Sequence, residues 1–247
     1  MATSGEFTSL SFDERVKLSE SVRKGVEKKP LIVGTGTTTT KETIELTKAV
    51  EEIGVDVAMI VPPYYSKPTQ AEIYKHFKAI AQNTKLPIML YNVGFTGVNI
   101  EPDTIAELSK IKNIFAIKEI GPNPLQVAET VMKSSKDFKV YSGSAQLLPC
   151  ILAQGGVGVV CESLIGDRVR KLIDFYLSGD IKKGLEIYFS LIPFFKIYAL
   201  RTNGVPVFKY VMSLAGFNAG KPRPPLTEVT DEEKKKIKDI LKELNLI

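Results

Sequence analysis

A lysine interrupts the apolar run Asn113-Ile-Phe-Ala-Ile-Lys-Glu-Ile-Gly121 at position 118. Such a run reads as a strand buried on both faces of a parallel sheet. An ammonium group held there loses its hydration, so its pKa falls from about 10.4 toward neutrality. A neutral lysine is a nucleophile, and the reaction it does best is Schiff-base formation with a ketone or aldehyde. Glu119 follows the lysine, and the other apolar runs end on Thr35, Tyr64 and Tyr65, Tyr91 and Asn92, Ser142 to Ser144, and Glu162 with Ser163. A tyrosine hydroxyl within reach moves protons while a carbinolamine dehydrates, and backbone amides with small hydroxyls hold a substrate carboxylate. The same residue types also do plainer work: a tyrosine at a strand end fills a core or an interface, and a lysine there snorkels to solvent.

Other chemistries have less to build on. Gly34-Thr-Gly-Thr-Thr-Thr-Thr40 precedes a helical pattern and offers Thr37 to Thr40 as a phosphate cradle, yet it has neither the GxxxxGK[ST] nor the GxGxxG spacing. His76 is the single histidine, which excludes a multi-histidine metal site; its setting, Ile73-Tyr-Lys-His-Phe-Lys-Ala79, reads as a helix surface. Cys150 and Cys161 have no CxxC spacing and read as packed, reduced thiols. The net charge of +5 comes from 33 Lys+Arg against 28 Asp+Glu scattered along the chain, which argues against nucleic acid as a partner. No basic-then-apolar leader and no apolar run of the ~20 residues needed to cross a bilayer are present, so no membrane partner and a cytoplasmic location are expected.

The elements that must position these residues follow from periodicity. Six short apolar runs read as strands: residues 31–36, 57–63, 87–93, 114–120, 138–143 and 156–161. Amphipathic helical patterns lie between them at 40–53, 69–82, 101–109 and 123–134, and strict alternation implies parallel βαβ units. Beyond Glu162 the pattern is helical throughout, at 165–177, 181–200, 207–214 and after Asp231. With 247 residues, 44% hydrophobic, the chain fits one domain, a barrel-like portion at 1–163 packed with helices at 164–247. Alternation alone leaves an open doubly wound sheet and a closed barrel both standing, and both place function at the C-terminal edge of the strands.

Six motifs, in order, resemble one known family. Ala2-Thr-Ser-Gly-Glu6, Pro63-Tyr-Tyr-Ser-Lys-Pro68, Leu90-Tyr-Asn-Val93, Ile117-Lys-Glu119, Tyr141-Ser-Gly143 and Asn203-Gly-Val-Pro-Val-Phe-Lys209 are similar to the successive signatures of the dihydrodipicolinate synthase and N-acetylneuraminate lyase family. The resemblance implies pyruvate-dependent class I aldolase chemistry on a (β/α)8 TIM barrel with a C-terminal helical region. It also implies a homo-oligomer, dimer or tetramer, and no cofactor beyond the covalent lysine Schiff base, whose iminium nitrogen supplies the charge that other aldolases take from zinc. Lys118 matches the Schiff-base lysine and Tyr91 its proton-relaying tyrosine. Thr3 matches the hydroxyl that links the relay, and Tyr65 the tyrosine contributed across the dimer interface to a neighbour's site. Ser4 matches the pyruvate carboxylate cradle, and Gly143 the segment shaping the far wall.

Two departures refine what the resemblance implies. Residues 92–97, Asn-Val-Gly-Phe-Thr-Gly, are one shorter than the family's pattern and lack the arginine that binds the aldehyde's carboxylate in dihydrodipicolinate synthases. Ser142-Gly-Ser-Ala145 and Gly5-Glu-Phe7 are more similar to other members, so the expected activity is that of a 2-keto acid aldolase, such as a 4-hydroxy-2-oxoglutarate or 2-keto-3-deoxy sugar acid aldolase. Dihydrodipicolinate synthase, or a 2-keto acid binding protein that does not turn over, are the alternatives. The Ala2 to Glu6 motif belongs at the end of the family's second strand, so the first one to two βα units are expected to be absent, leaving the 31–36 and 156–161 strands as sheet edges.

Overall fold

The computed structural model describes residues 2–26, 29–121 and 123–247. They group into two compact units, one of Ala2 with Leu10–Val160 and one of Thr3–Ser9 with Cys161–Ile247.

The first unit opens with α1 (Phe12–Gly25), whose start is set by a capping box. The Ser11 hydroxyl accepts from Glu14 N–H and the Glu14 carboxylate accepts from Ser11 N–H. Strands β1 (Ile32–Gly34), β2 (Val57–Ile60), β3 (Ile88–Val93), β4 (Ile114–Ile120), β5 (Lys139–Ser142) and β6 (Gly158–Val159) then alternate with α2 (Thr40–Glu52), α3 (Gln70–Ala81), α4 (Pro102–Leu108), α5 (Pro124–Lys133) and α6 (Leu148–Ala153). Thr69 and Glu72 form a second capping box at α3, and Asn123 caps α5 ahead of Pro124. All six strands expected from periodicity are present; α6 was not legible as a helix, being only six residues long.

The six strands pair in parallel in sequence order, β1-β2-β3-β4-β5-β6. Right-handed crossovers in an order that never reverses put every connecting helix on the same face of the sheet, whereas a doubly wound sheet needs a reversal to cover both. The topology is therefore α/β of the TIM-barrel type. The pleat separates two buried faces: Val33, Ala58, Ile60, Leu90, Ile117 and Val140 pack with helix residues such as Leu46, Phe77 and Leu108. Met59, Met89, Ala116, Tyr91 and Lys118 point to the other face and are buried as well. A bulge lets Met89 pair with Ala116 although Ile88 pairs with Ile114, so Ile114 keeps to the helix side.

The second unit is helical: α7 (Gly166–Leu177), α8 (Ile181–Ser190), α9 (Ile192–Tyr198), α10 (Val205–Leu214) and α11 (Asp231–Glu243). The helix expected over 181–200 is two, divided at Leu191, because Pro193 in the first turn of α9 has no N–H to continue the ladder. Arg201 grips Glu233 through two 2.7 Å hydrogen bonds and holds the Glu233 carboxyl down at about 2; Glu233 in turn accepts from Thr230 N–H at the start of α11. Among the described residues no helix is long and apolar enough to cross a membrane.

Candidate active site

Adjacent strands β3 and β4 carry the dipeptides Tyr91-Asn92 and Lys118-Glu119 in register, Tyr91 opposite Lys118 and Asn92 opposite Glu119. The pleat sends the first member of each to the face away from the helices and the second to the helix-covered face. On the first face Lys118, 5% exposed, sets its Nζ 4.2 Å from the centroid of the Tyr91 ring, itself 4% exposed. On its other side Lys118 is in register with Tyr141 of β5. The chain then turns through Ser142, whose hydroxyl donates to Ser144 O at 2.7 Å, and Gly143, whose N–H donates to Glu119 O at 2.8 Å. Any side chain at Gly143 would collide: a Cβ there would lie 2.0 Å from Ile120 Cγ1 and 2.9 Å from Lys118 Cε. The glycine lets the β5 turn close directly over the lysine stem.

On the helix-covered face Asn92, Asn99, Glu119 and Gln126 form a closed network. Asn92 Nδ2 donates to both Glu119 oxygens at 3.0 and 3.3 Å and to Asn99 Oδ1 at 2.9 Å. Gln126 Nε2 donates to Glu119 Oε2 and to Asn99 Oδ1, each at 3.2 Å, and Asn99 Nδ2 returns a 2.9 Å bond to Gln126 Oε1. Burial pushes the Glu119 carboxyl above the usual carboxylate range, while the Asn92 and Gln126 amides and the N–H groups of Gly121 and Ile120 draw it back down. Sequence reading placed Glu119 at a strand end and stopped there; its position directly after a buried lysine was the available signal.

The other expected residues divide between the units. Tyr65 lies in the first unit, in the loop after β2. It is 93% exposed and holds φ at +73°, and Lys67 beside it holds +48°, a left-handed conformation that costs side-chain-bearing residues. Thr3 and Ser4 lie in the second unit, in the short 3-10 helix Thr3–Gly5, Thr3 half-buried and Ser4 exposed. That segment is anchored within its unit by buried Glu6, which pairs with Lys209 Nζ at 2.8 Å and accepts from Arg223 N–H at 2.6 Å; these partners hold the carboxyl below its ordinary range, against desolvation as the largest opposing influence.

Two expectations are corrected. His76 is not on a helix surface: it is 4% exposed, with Nδ1 2.9 Å from Thr40 Oγ1, Nε2 buried without a partner, and its pKa pulled down to about 4 by burial. Cys150 is exposed, because α6 turns Leu148, Ile151 and Leu152 inward and leaves it outside; Cys161 is half-buried, and both are thiols. The Thr37, Thr39 and Thr40 hydroxyls are taken up within the protein. Thr39 caps α2 through Glu42 N–H, Thr37 bonds Thr43 and Thr39 O, and Thr40 meets His76. Arg15 of α1 is a buried cation that periodicity did not single out; its Nη2 donates to Gly34 O at 2.9 Å and Gly36 O at 3.1 Å, tying off the end of β1.

A model of the dihydrodipicolinate synthetase family matches residues 1–244. The 4-hydroxy-tetrahydrodipicolinate synthase of Desulforudis audaxviator is 41% identical over 249 residues, which cover 99% of this chain and 84% of that protein. Among solved structures, dihydrodipicolinate synthase from Aquifex aeolicus superposes with a TM-score of 0.95 at 37% identity, over 99% of this chain and 85% of that one. A monomeric dihydrodipicolinate synthase variant superposes with 0.94 at 35% identity, over 100% and 84%.

Proposed function

This chain belongs to the dihydrodipicolinate synthetase family, whose members are class I carbon-carbon lyases working through a covalent lysine Schiff base with pyruvate, and from that membership we propose that it is a 4-hydroxy-tetrahydrodipicolinate synthase with Lys118 as its nucleophile. The observation that carries the assignment of Lys118 is its burial over the Tyr91 ring. Relatives near 40% identity along almost the whole chain favour this synthase over the 2-keto acid aldolases expected from sequence.

In this reading Lys118 Nζ adds to the keto carbon of pyruvate, and Tyr91 carries the protons that turn the carbinolamine oxygen into departing water. The resulting iminium acidifies the pyruvate methyl group, whose proton passes to the Tyr91 oxygen; the enamine so formed attacks the carbonyl carbon of an aldehyde, and the aldehyde oxygen takes that proton as the bond forms. The ring nitrogen of the named product implies that the aldehyde bears an amine. That amine adds to the iminium carbon, closes the ring and expels Lys118. Tyr65 serves the site of a second copy and Gly143 walls the site.

Borohydride added with pyruvate is expected to fix a reduced pyruvyl mass on Lys118 and none in Lys118→Ala; an unmodified lysine in folded wild type refutes the assignment. Incubating pyruvate with an amino-acid aldehyde and with hydroxylated aldehydes then separates the readings. Turnover with the first supports the synthase. Turnover with the second alone supports the 2-keto acid aldolase, the reading favoured by the missing arginine at residues 92–97. Trapping with no turnover of either supports a 2-keto acid binding protein.

A further inference from the structure

We infer that Glu119 is a positioning residue for the Schiff-base lysine: clamped on the helix-covered face by the Asn92 and Gln126 amides, which Asn99 joins to each other, it fixes the strand register that sets Lys118 over Tyr91 on the opposite face. The inference deepens the assignment of Lys118 as nucleophile and rests on it.

The argument begins with what a backbone ladder leaves undetermined. Parallel hydrogen bonds repeat regularly along two strands, so the ladder alone does not select one register, and a slip of one residue turns every side chain to the wrong face. Strands β3 and β4 already show such an offset at Ile88 and Met89. Beyond it something must lock Tyr91 opposite Lys118. The face carrying that pair is poorly suited to the task, because a substrate must enter there and the lysine must change its bonding during reaction. The opposite face has no such duty. There Asn92 and Glu119, each one residue beyond its reacting neighbour, are joined by two hydrogen bonds and are 1% and 2% exposed.

The clamp reaches further than the two strands. Asn92 Oδ1 accepts from Ile100 N–H at 3.0 Å, and Asn92 Nδ2 meets Asn99, so the segment from Val93 to Val98 is stapled at its base. Gln126 brings in α5. Gln70 of α3 bonds Asn99 O at 2.8 Å and Glu101 N–H at 3.1 Å, tying the same segment to a second helix. Among the described residues no lysine or arginine pairs with Glu119, and its carboxylate is hydrogen-bonded by amides alone. A buried carboxylate held only by amides is a costly way to stabilise a sheet that Leu90 and Ile117 already pack. Its directionality, acceptor oxygens facing donor amides, is what an apolar pair could not supply.

Glu119→Gln keeps the shape and turns one acceptor into a donor facing donors. The expected result in the folded variant is that borohydride trapping of pyruvate on Lys118, and kcat, fall about a hundredfold, while KM for pyruvate stays within a few-fold of wild type. Adding Asn92→Asp restores an acceptor opposite the new donor and is expected to recover most of the lost rate. Wild-type trapping rates in folded Glu119→Gln overturn the inference, as does a double variant no faster than the single one. If Glu119→Gln fails to fold, Gln126→Met removes one donor and leaves the carboxylate; about a tenfold slower trapping supports the inference and an unchanged rate overturns it. Wild type that is not trapped at Lys118 refutes the nucleophile assignment instead, so the two failures are distinct.

Discussion

Tyr91 gives Lys118 an aromatic face and a hydroxyl at once, and the two are separable by mutation. Tyr91→Phe keeps the ring beneath Nζ and removes the proton carrier. Steady-state kinetics are expected to show kcat reduced by about 10²- to 10⁴-fold, the usual range for one acid-base group, with KM for pyruvate little changed. A structural tyrosine would give the opposite signature, lost stability with kcat preserved. Gly143 makes a second residue-scale test. An added methyl must displace Ile120 and press on Lys118 Cε, so Gly143→Ala is expected to cost about 1–3 kcal/mol in unfolding experiments and to slow trapping at Lys118. Unchanged trapping would mean that the lysine stem has room that the contact distances deny it.

Among the elements, the junction of α2 and α3 titrates. His76 has a folded pKa of about 4 against 6.5 for the unconstrained side chain. The unfolded chain therefore takes up the proton first as pH falls. Stability is fully present above about 6.5 and is lost progressively toward 4, by about 3 kcal/mol for 2.5 pK units. Urea unfolding across this window is expected to show that slope in wild type and a flatter one in His76→Leu; identical slopes would place the titration elsewhere. Sequence patterns made α2 and α3 legible, since Thr39 and the Thr69-Glu72 box mark their starts locally. The burial of His76 was not legible, because it depends on Thr40, 36 residues away in sequence. The break of the long expected helix at Leu191 was marked by Pro193, a signal that the strong apolar periodicity around it overrode.

At the scale of the whole molecule, Tyr65 is the residue whose role needs a second chain. A tyrosine 93% exposed and held at positive φ gains nothing for its own unit. If it completes a neighbour's site, Lys118→Ala and Tyr65→Ala chains, each impaired alone, complement when refolded together. Half of randomly paired dimers are mixed and each mixed dimer has one intact site, so recovery approaches about a quarter of wild type. Activity no better than the mean of the two variants would remove Tyr65 from catalysis. Among the described residues the hydrogen-bonded strand order runs from β1 to β6.

By itself the sequence determined the six strands and most of the helices, the lysine that stands out among them and the family, since these rest on alternation, caps and short motifs that reach only a few residues along the chain. The tertiary structure alone decided that the strands run in unreversed order, that Gly143 closes over Lys118, and that Asn92 meets Glu119, 27 residues on, behind the reacting pair. Register and burial are made by partners remote in sequence. One residue's offset between two strands changes every face, and no local pattern records it.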